Sequence, residues 1–204
     1  MKLSYQHVFK AGSDPLAPPL LLLHGTGGDE HNLIPIAQSL SPGSALLSPR
    51  GDVLEQGMPR FFRRFAEGVF DLADVEKRTL ALADFIVAAS AHYEIDPAKL
   101  VAVGYSNGAN IAASLFFLRP EVLAGAALLR PMVVLEPKSV PDLNGKRILI
   151  SSGQQDPIVP ADQSKRLANL FRDAGAEVTL NSHAGGHGLT NVDFTAARLF
   201  LTTK

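Results

Sequence analysis

The sequence predicts an α/β protein with a mostly parallel central sheet of about seven strands and helices on both faces. Three observations predict it. Short apolar runs rich in β-formers alternate with longer stretches of helical periodicity. Two of the runs, Leu20–Leu23 and Leu100–Val103, are apolar without interruption, as strands covered on both faces are. Glycine-rich turns, His24–Gly28 and Gly104–Gly108, follow these two runs directly.

The elements follow in order. Leu3–Phe9 reads as a first, edge strand, and Leu20–Leu23 as a buried one. A helix is expected over Leu33–Leu40 and a strand over Ser44–Leu47. Asp74–Tyr93 is the longest helix, with Val75, Thr79, Leu82, Phe85, Ile86 and Ala89 recurring at helical spacing. Leu100–Gly104 is a strand and about Asn107–Leu118 a helix. Strands at Leu123–Leu129 and Arg147–Ser152 precede a helix over Asp162–Ala174. A last strand, Val178–Ser182, and a last helix, Asn191–Leu201, close the series.

Two stretches break this rhythm, and neither reads as a domain linker. Residues 48–71 carry Phe61, Phe62, Phe65 and Phe70 among Arg50, Arg60, Arg63 and Arg64. Loops of this length are usually functional or disordered, and four phenylalanines argue against disorder. Phe61, Phe62 and Phe65 are therefore candidates for a substrate pocket, with core packing beneath a long loop as the alternative. Pro131–Gly145 is proline-rich, and its Met132, just past a strand end, is a candidate for the opposite wall. No repeat or low-complexity tract occurs. Residues 1–204 are expected to form a single domain with a minimal lid.

Composition narrows the function. The chain is 46% apolar and 19% charged, with a net charge of −1 and its Lys and Arg dispersed, so no nucleic-acid partner is expected. Absence of Cys excludes a disulfide framework, a thiol nucleophile and a zinc–thiolate site. Met1–Gly12 has neither a long apolar stretch nor a small-residue cleavage site, and Leu20–Leu23 is far too short to span a bilayer. The expectation is a cytoplasmic enzyme with no membrane span.

The chemistry-bearing residues sit in turns after strands. Gly104-Tyr105-Ser106-Asn107-Gly108 matches G-x-S-x-G, with an apolar strand leading in and a helical pattern leading out. The turn is so tight that a side chain at Gly104 or Gly108 would collide with a neighbouring element. Ser106 is the candidate nucleophile, and the start of the following helix points N–H groups toward developing negative charge. A serine hydroxyl needs a base, and in this motif an acid and then a histidine follow the serine. Asp156 lies just after the strand Arg147–Ser152, and His187 lies in Ala184-Gly185-Gly186-His187-Gly188. Asp162 competes for the first role but reads better as a helix start. His183 competes for the second but sits at a strand end as a rim histidine. A metal site from His183 and His187 would need a helix, which Gly185-Gly186 oppose. His24-Gly25-Thr26-Gly27-Gly28 is the candidate oxyanion loop. Its Thr26 amide is the donor expected beside that of Asn107, and His24 is expected to brace the loop.

Leu-Leu-His-Gly-Thr-Gly-Gly, Gly-Tyr-Ser-Asn-Gly, Gly-Gln-Gln-Asp-Pro-Ile-Val-Pro and Gly-Gly-His-Gly together resemble the phospholipase/carboxylesterase family of small bacterial α/β-hydrolases, related to acyl-protein thioesterases. The block from Ser48-Pro49-Arg50-Gly51 to Arg60-Phe61-Phe62-Arg63-Arg64 resembles a subgroup described as quinone-resistance-linked hydrolases. The resemblance covers about Pro19 to Phe200. It implies an α/β-hydrolase fold, a triad of Ser106, Asp156 and His187, an oxyanion hole at Thr26 and Asn107, and no cofactor. The expected activity is hydrolysis of small to medium carboxylic esters through an acyl-enzyme, on a small-molecule substrate. Acyl-protein thioesterases usually carry Gln after the nucleophile where this chain has Asn107, which weakens the thioester analogy. Thioesterase or lysophospholipase activity, C–C bond or lactone hydrolysis, and a non-catalytic ligand-binding scaffold remain the alternatives. Small relatives often pair, which leaves a homodimer open beside a monomer.

Overall fold

The computed structural model describes residues 3–203. Seven strands form one sheet in the order β1-β3-β2-β8-β9-β10-β11. They are β1 (His7–Lys10), β2 (Leu20–Leu23), β3 (Leu46–Pro49), β8 (Val101–Tyr105), β9 (Gly125–Leu129), β10 (Arg147–Gly153) and β11 (Glu177–His183). Only β1 runs antiparallel to its neighbour, β3, and it lies at the edge. The remaining pairings are parallel. An antiparallel edge on a parallel sheet is a common arrangement, because the edge strand needs no crossover helix.

Helices α2 (Leu72–Tyr93), α3 (Asn107–Leu118) and α4 (Ala161–Asp173) pack on one face. Their Val75, Leu82, Ile86, Ile111, Leu167 and Phe171 share a core with Leu21, Ala102 and Ile148. Helices α1 (Ile34–Leu40) and α5 (Asn191–Thr202) cover the other face, where Ile34, Leu40, Ala197 and Leu201 meet Leu20, Leu22 and Leu149. The period-two alternation of a strand sends Leu21 and Leu20 to opposite cores. All four leucines of β2 are fully buried, so its unbroken apolar sequence follows from its central position.

The buried positions of α2 include all six residues whose spacing predicts that helix. Asp71 caps it by accepting the Asp74 N–H. Strand bounds shift by a residue or two from the sequence expectation, most at β1, which starts at His7 rather than Leu3. No helix among the described residues is long and apolar enough to cross a membrane.

Residues 48–71 are the main departure. Past β3 they fold into two small hairpins, β4 (Val53–Glu55) with β5 (Met58–Arg60) and β6 (Arg64–Ala66) with β7 (Val69–Phe70). Gln56 and Gly57 both have positive φ, 51° and 81°, the signature of a two-residue type I′ turn. Strands of two or three residues are too short for an alternation to be read from sequence.

Candidate active site

The parallel strands end at one edge of the sheet, and the loops leaving β2, β8, β10 and β11 converge there. The loop after β8 is the sharpest. Ser106 has φ 51° and ψ −114°, a strained conformation for a residue with a side chain. A Cβ on Gly104 would lie 2.8 Å from the Ala109 backbone, and one on Gly108 2.0 Å from the Leu23 carbonyl oxygen. The two glycines let the turn press against α3 and β2. The Ser106 N–H donates to the Leu129 carbonyl at 2.9 Å, which fixes the turn to β9.

Three side chains from different loops meet here. His187 Nε2 is 3.0 Å from Ser106 Oγ, and His187 Nδ1 is 2.8 Å from Asp156 Oδ2. The Asp156 side chain is almost fully buried, and its Oδ1 accepts the Ile158 and Val159 amides at 2.8 and 3.0 Å. A carboxylate acceptor sets the tautomer: Nδ1 carries the proton, and Nε2 is free to accept from the serine. The loops that carry Asp156 and His187 are joined through their backbones. Gln154 N–H donates to the His183 carbonyl and Gln155 N–H to that of Gly185, at 2.7 and 3.0 Å. A Cβ on Gly153 would lie 2.2 Å from the Gly185 oxygen, so this close approach requires glycine.

The loop after β2 and the start of α3 each supply one free backbone donor. Gly27 N–H donates to Pro59 and Gly28 N–H to Gly25, whereas the Thr26 and Asn107 amides meet no acceptor among the described residues. Both residues border the cavity that holds Ser106. His24 braces the loop: its Nδ1 faces the Gly25 carbonyl at 2.7 Å, and its Nε2 accepts the Gly51 amide at 3.0 Å. Burial pushes the His24 imidazole below its ordinary pKa, against the opposing pull of the Gly25 carbonyl, Asp29 and Glu30.

The cavity over Ser106 has a volume of about 260 Å³. Phe70, Met132, Ile158 and Val159 supply its apolar wall, and Arg60, Arg64 and Glu67 its polar one. Met132, just past β9, lines this cavity. Phe61, Phe62 and Phe65 do not. Phe61 and Phe62 are fully buried in the core, the first against the His24 ring and the second against Phe70. Phe65 is 75% exposed, on a strand that turns it to solvent. A larger cleft of about 730 Å³ lies at the opposite ends of the strands, beside Val101, Gly125 and Arg147, and contains neither Ser106 nor His187.

The two competitors lie elsewhere. Asp162 is in the first turn of α4. His183 contacts Asp193 at 3.0 Å and accepts the Gly185 amide on Nδ1 at 3.1 Å. Several side-chain contacts at the cavity escape a sequence reading. Arg60 donates to Thr26 Oγ1 at 2.7 Å. Asn107 Oδ1 accepts the Phe61 amide and Asn110 Oδ1 the Met132 amide, each at 2.8 Å, so the first turn of α3 pins both walls. The two asparagines lie three apart directly after the serine, which was the available signal. Arg130 left none: it stands before Pro131 in an irregular stretch, yet it is fully buried.

Known proteins share this architecture. MhqD of Bacillus subtilis (strain 168), which carries a hydrolase name, is 44% identical over 95% of this chain and 96% of its own. A carboxylesterase from Bacillus cereus superposes with a TM-score of 0.93 at 45% identity, covering 97% of this chain and 93% of the other. A carboxylesterase from Mesorhizobium loti gives 0.87 at 34% identity over 92% and 89%. The small carboxylesterases expected from the motifs are thus among the relatives. The sequence profile of the dienelactone hydrolase family matches residues 58–196, from the second strand of the first hairpin through the first half of α5, and the chain belongs to that family of hydrolases.

Proposed function

We propose that this protein is a serine carboxylesterase of small carboxylic esters. Ser106 is the nucleophile, His187 the base, Asp156 the residue that orients it, and the Thr26 and Asn107 amides the oxyanion donors. One observation carries the reading: a continuous Asp156–His187–Ser106 relay of 2.8 and 3.0 Å beside two unpartnered amides. The carboxylesterase names of two relatives agree with it.

In this mechanism Ser106 Oγ attacks the ester carbonyl carbon while its proton passes to His187 Nε2. The carbonyl π electrons move onto oxygen, and the two amide N–H groups donate hydrogen bonds to that oxyanion; a donor of this kind is worth about 3 kcal/mol in the transition state. The C–O bond to the alcohol then breaks, and His187 returns its proton to the leaving oxygen. Water, deprotonated by His187, repeats the sequence on the acyl-serine and releases the acid. Asp156 stays ionised throughout and stabilises the imidazolium. A cavity of about 260 Å³ is small for a ligand site, which favours short acyl groups.

A fluorophosphonate probe and p-nitrophenyl acetate test this together. Wild-type protein should take the label and hydrolyse the ester, with kcat/KM falling from acetate to octanoate. Ser106→Ala should lose both. Full hydrolysis by that variant, or no labelling of the wild type, refutes the assignment. A preference for thioesters or lysolipids over esters would move the substrate class but keep the relay.

A further inference from the structure

Arg130 is the last residue one would expect inside a protein, yet it is fully buried with its carboxylate partner Asp193. It leaves β9 with φ 59°, directly before Pro131, in backbone that non-glycine residues seldom adopt. Strain of this kind persists only where the surroundings hold it. Here the guanidinium holds them in return.

Arginine has five N–H bonds in a fixed fork, and all five are used. Nη1 donates to Asp193 Oδ1 at 2.6 Å and to the Ser151 carbonyl at 3.3 Å. Nη2 donates to Asp193 Oδ2 at 2.9 Å and to the Gly188 carbonyl at 3.0 Å. Nε donates to the Gly186 carbonyl at 2.8 Å. The nearby His183 Nε2 takes no part as acceptor. Its Nδ1 receives the Gly185 amide, so Nε2 carries the proton and donates to Asp193. Two of the five bonds therefore grip the carbonyls on either side of His187, in a loop where glycine at 185, 186 and 188 leaves the backbone otherwise free to move. Tyr105 adds a third hold, its hydroxyl donating to the His187 carbonyl itself at 3.2 Å.

Asp193 is fixed as firmly. It accepts from Ser151 Oγ, His183 Nε2, the Thr190 amide and Thr190 Oγ1 as well as from Arg130. Its position in the first turn of α5 ties the cluster to that helix. The cluster thus joins the ends of β9, β10 and β11 to α5, with the His187 loop hung from its centre.

We propose that Arg130 is a positioning residue for His187, setting the imidazole on the line between Asp156 and Ser106 through the flanking carbonyls. The proposal rests on the esterase reading for its kinetic consequence, but its structural core does not. Charge alone cannot do this work: a lysine ammonium is a point charge with three donors and no fork.

The test is Arg130→Lys, which keeps a cation beside Asp193 and loses the paired grip. Expected is a fall in kcat on p-nitrophenyl acetate, per fluorophosphonate-titrated site, on the order of 10- to 100-fold. KM should move little. The low-field proton NMR signal of His187 Nδ1–H, assigned by its absence in His187→Ala, should shift or broaden away. A merely structural role would lower Tm and the yield of titratable sites, while kcat per site and the low-field signal stayed as in wild type; that result overturns the proposal. Should Arg130→Lys not fold, the double change Arg130→Met with Asp193→Leu removes both charges and is read the same way. If the wild type takes no fluorophosphonate, the esterase reading fails, and the low-field signal still judges the positioning.

Discussion

Two regions flank Ser106, and they are held by different physics. The Arg130–Asp193 cluster is wholly buried, with every guanidinium N–H bonded. The hairpin segment, residues 50–70, is held by ion pairs that each keep one partner partly open to solvent: Arg64 to Glu55 and Glu67, Arg60 to Glu55, Arg63 to Asp71, and Arg50 to Glu30. Phe61 and Phe62 anchor it in the core, while its polar ties to the rest of the fold are single hydrogen bonds, such as Gly51 to His24 and Phe61 to Asn107. A buried fork cannot loosen by degrees, because one lost partner strands a charge. Exposed pairs exchange with water at little cost. In the proposed mechanism His187 must sit within a few tenths of an ångström, and it hangs from the first kind of support. The cavity wall formed by Arg64 and Glu67 is built from the second.

The largest expected effect breaks the buried cluster. Asp193→Asn leaves Arg130 uncompensated in the interior and should cost about 3–5 kcal/mol, lowering Tm by roughly 10 °C or more. A urea melt that finds under 1 kcal/mol would put the two regions on equal footing. The same site has an acid signature. Burial opposes ionisation of Asp193, but bonds from Arg130, Ser151, His183 and Thr190 outweigh it and hold the carboxyl well below the usual carboxylate range. A depressed folded pKa gives stability that is present above the unfolded value, about 3.9, and lost as pH falls through the folded one. The cluster should therefore hold until strong acid, and the stability of Asp193→Asn should fall less steeply below about pH 4.

Next in size is Gly153→Ala. Its Cβ would meet the Gly185 and Gly186 oxygens at 2.2 and 2.5 Å, both backbone, so the His187 loop must move. Overpacking of this kind typically costs about 1–3 kcal/mol. The displacement should also lower kcat by on the order of 100-fold, measured per titrated site. A variant that lost stability but kept kcat would mean that the loop tolerates displacement, which the rigid-support picture forbids.

The same contrast decides what can be read from sequence. β2 and α2 are legible because their burial is periodic: four consecutive leucines in one, six residues at helical spacing in the other. Ser106, Asp156 and His187 are legible because glycines mark the turns that carry them. Phe61 and Phe62 mislead, since aromatic composition signals burial but not whether the partner is substrate or core. Arg130 is silent. Its burial depends on Asp193, 63 residues away, and neither residue lies in an apolar pattern that would flag it. Charges enter an interior through tertiary pairing, which no local window contains.

The smaller effects belong to the hairpin segment. His24 Nε2 accepts the Gly51 amide only while unprotonated, and the imidazole lies below its ordinary value of 6.5 because of burial. A lowered folded pKa means that the unfolded chain takes up the proton first, so this group's stability is present above about 6.5 and lost as pH falls through the folded value. Of the charged neighbours, Asp29 and Glu30 favour the imidazolium and Arg50 opposes it. The urea midpoint should therefore drop between pH 7 and 5, well above the range where Asp193 responds. His24→Gln, which offers an acceptor that does not titrate, should flatten that slope; an unchanged slope assigns it to another histidine.

The smallest effect is the most discriminating for the wall. Glu67 is more than half exposed, and among the described residues its carboxylate pairs only with Arg64. Glu67→Gln should change stability by less than about 1 kcal/mol. It also frees one face of Arg64 at the cavity, so any change should fall on KM, and most for substrates that carry an anionic group. The effect should shrink in 0.5 M salt, because the Debye length falls from ~10 Å at 0.1 M toward a few ångströms. A fall in kcat instead, with KM untouched, would show that the hairpin reaches the reacting atoms, and the division between a fixed support and an adaptable wall would have to be redrawn.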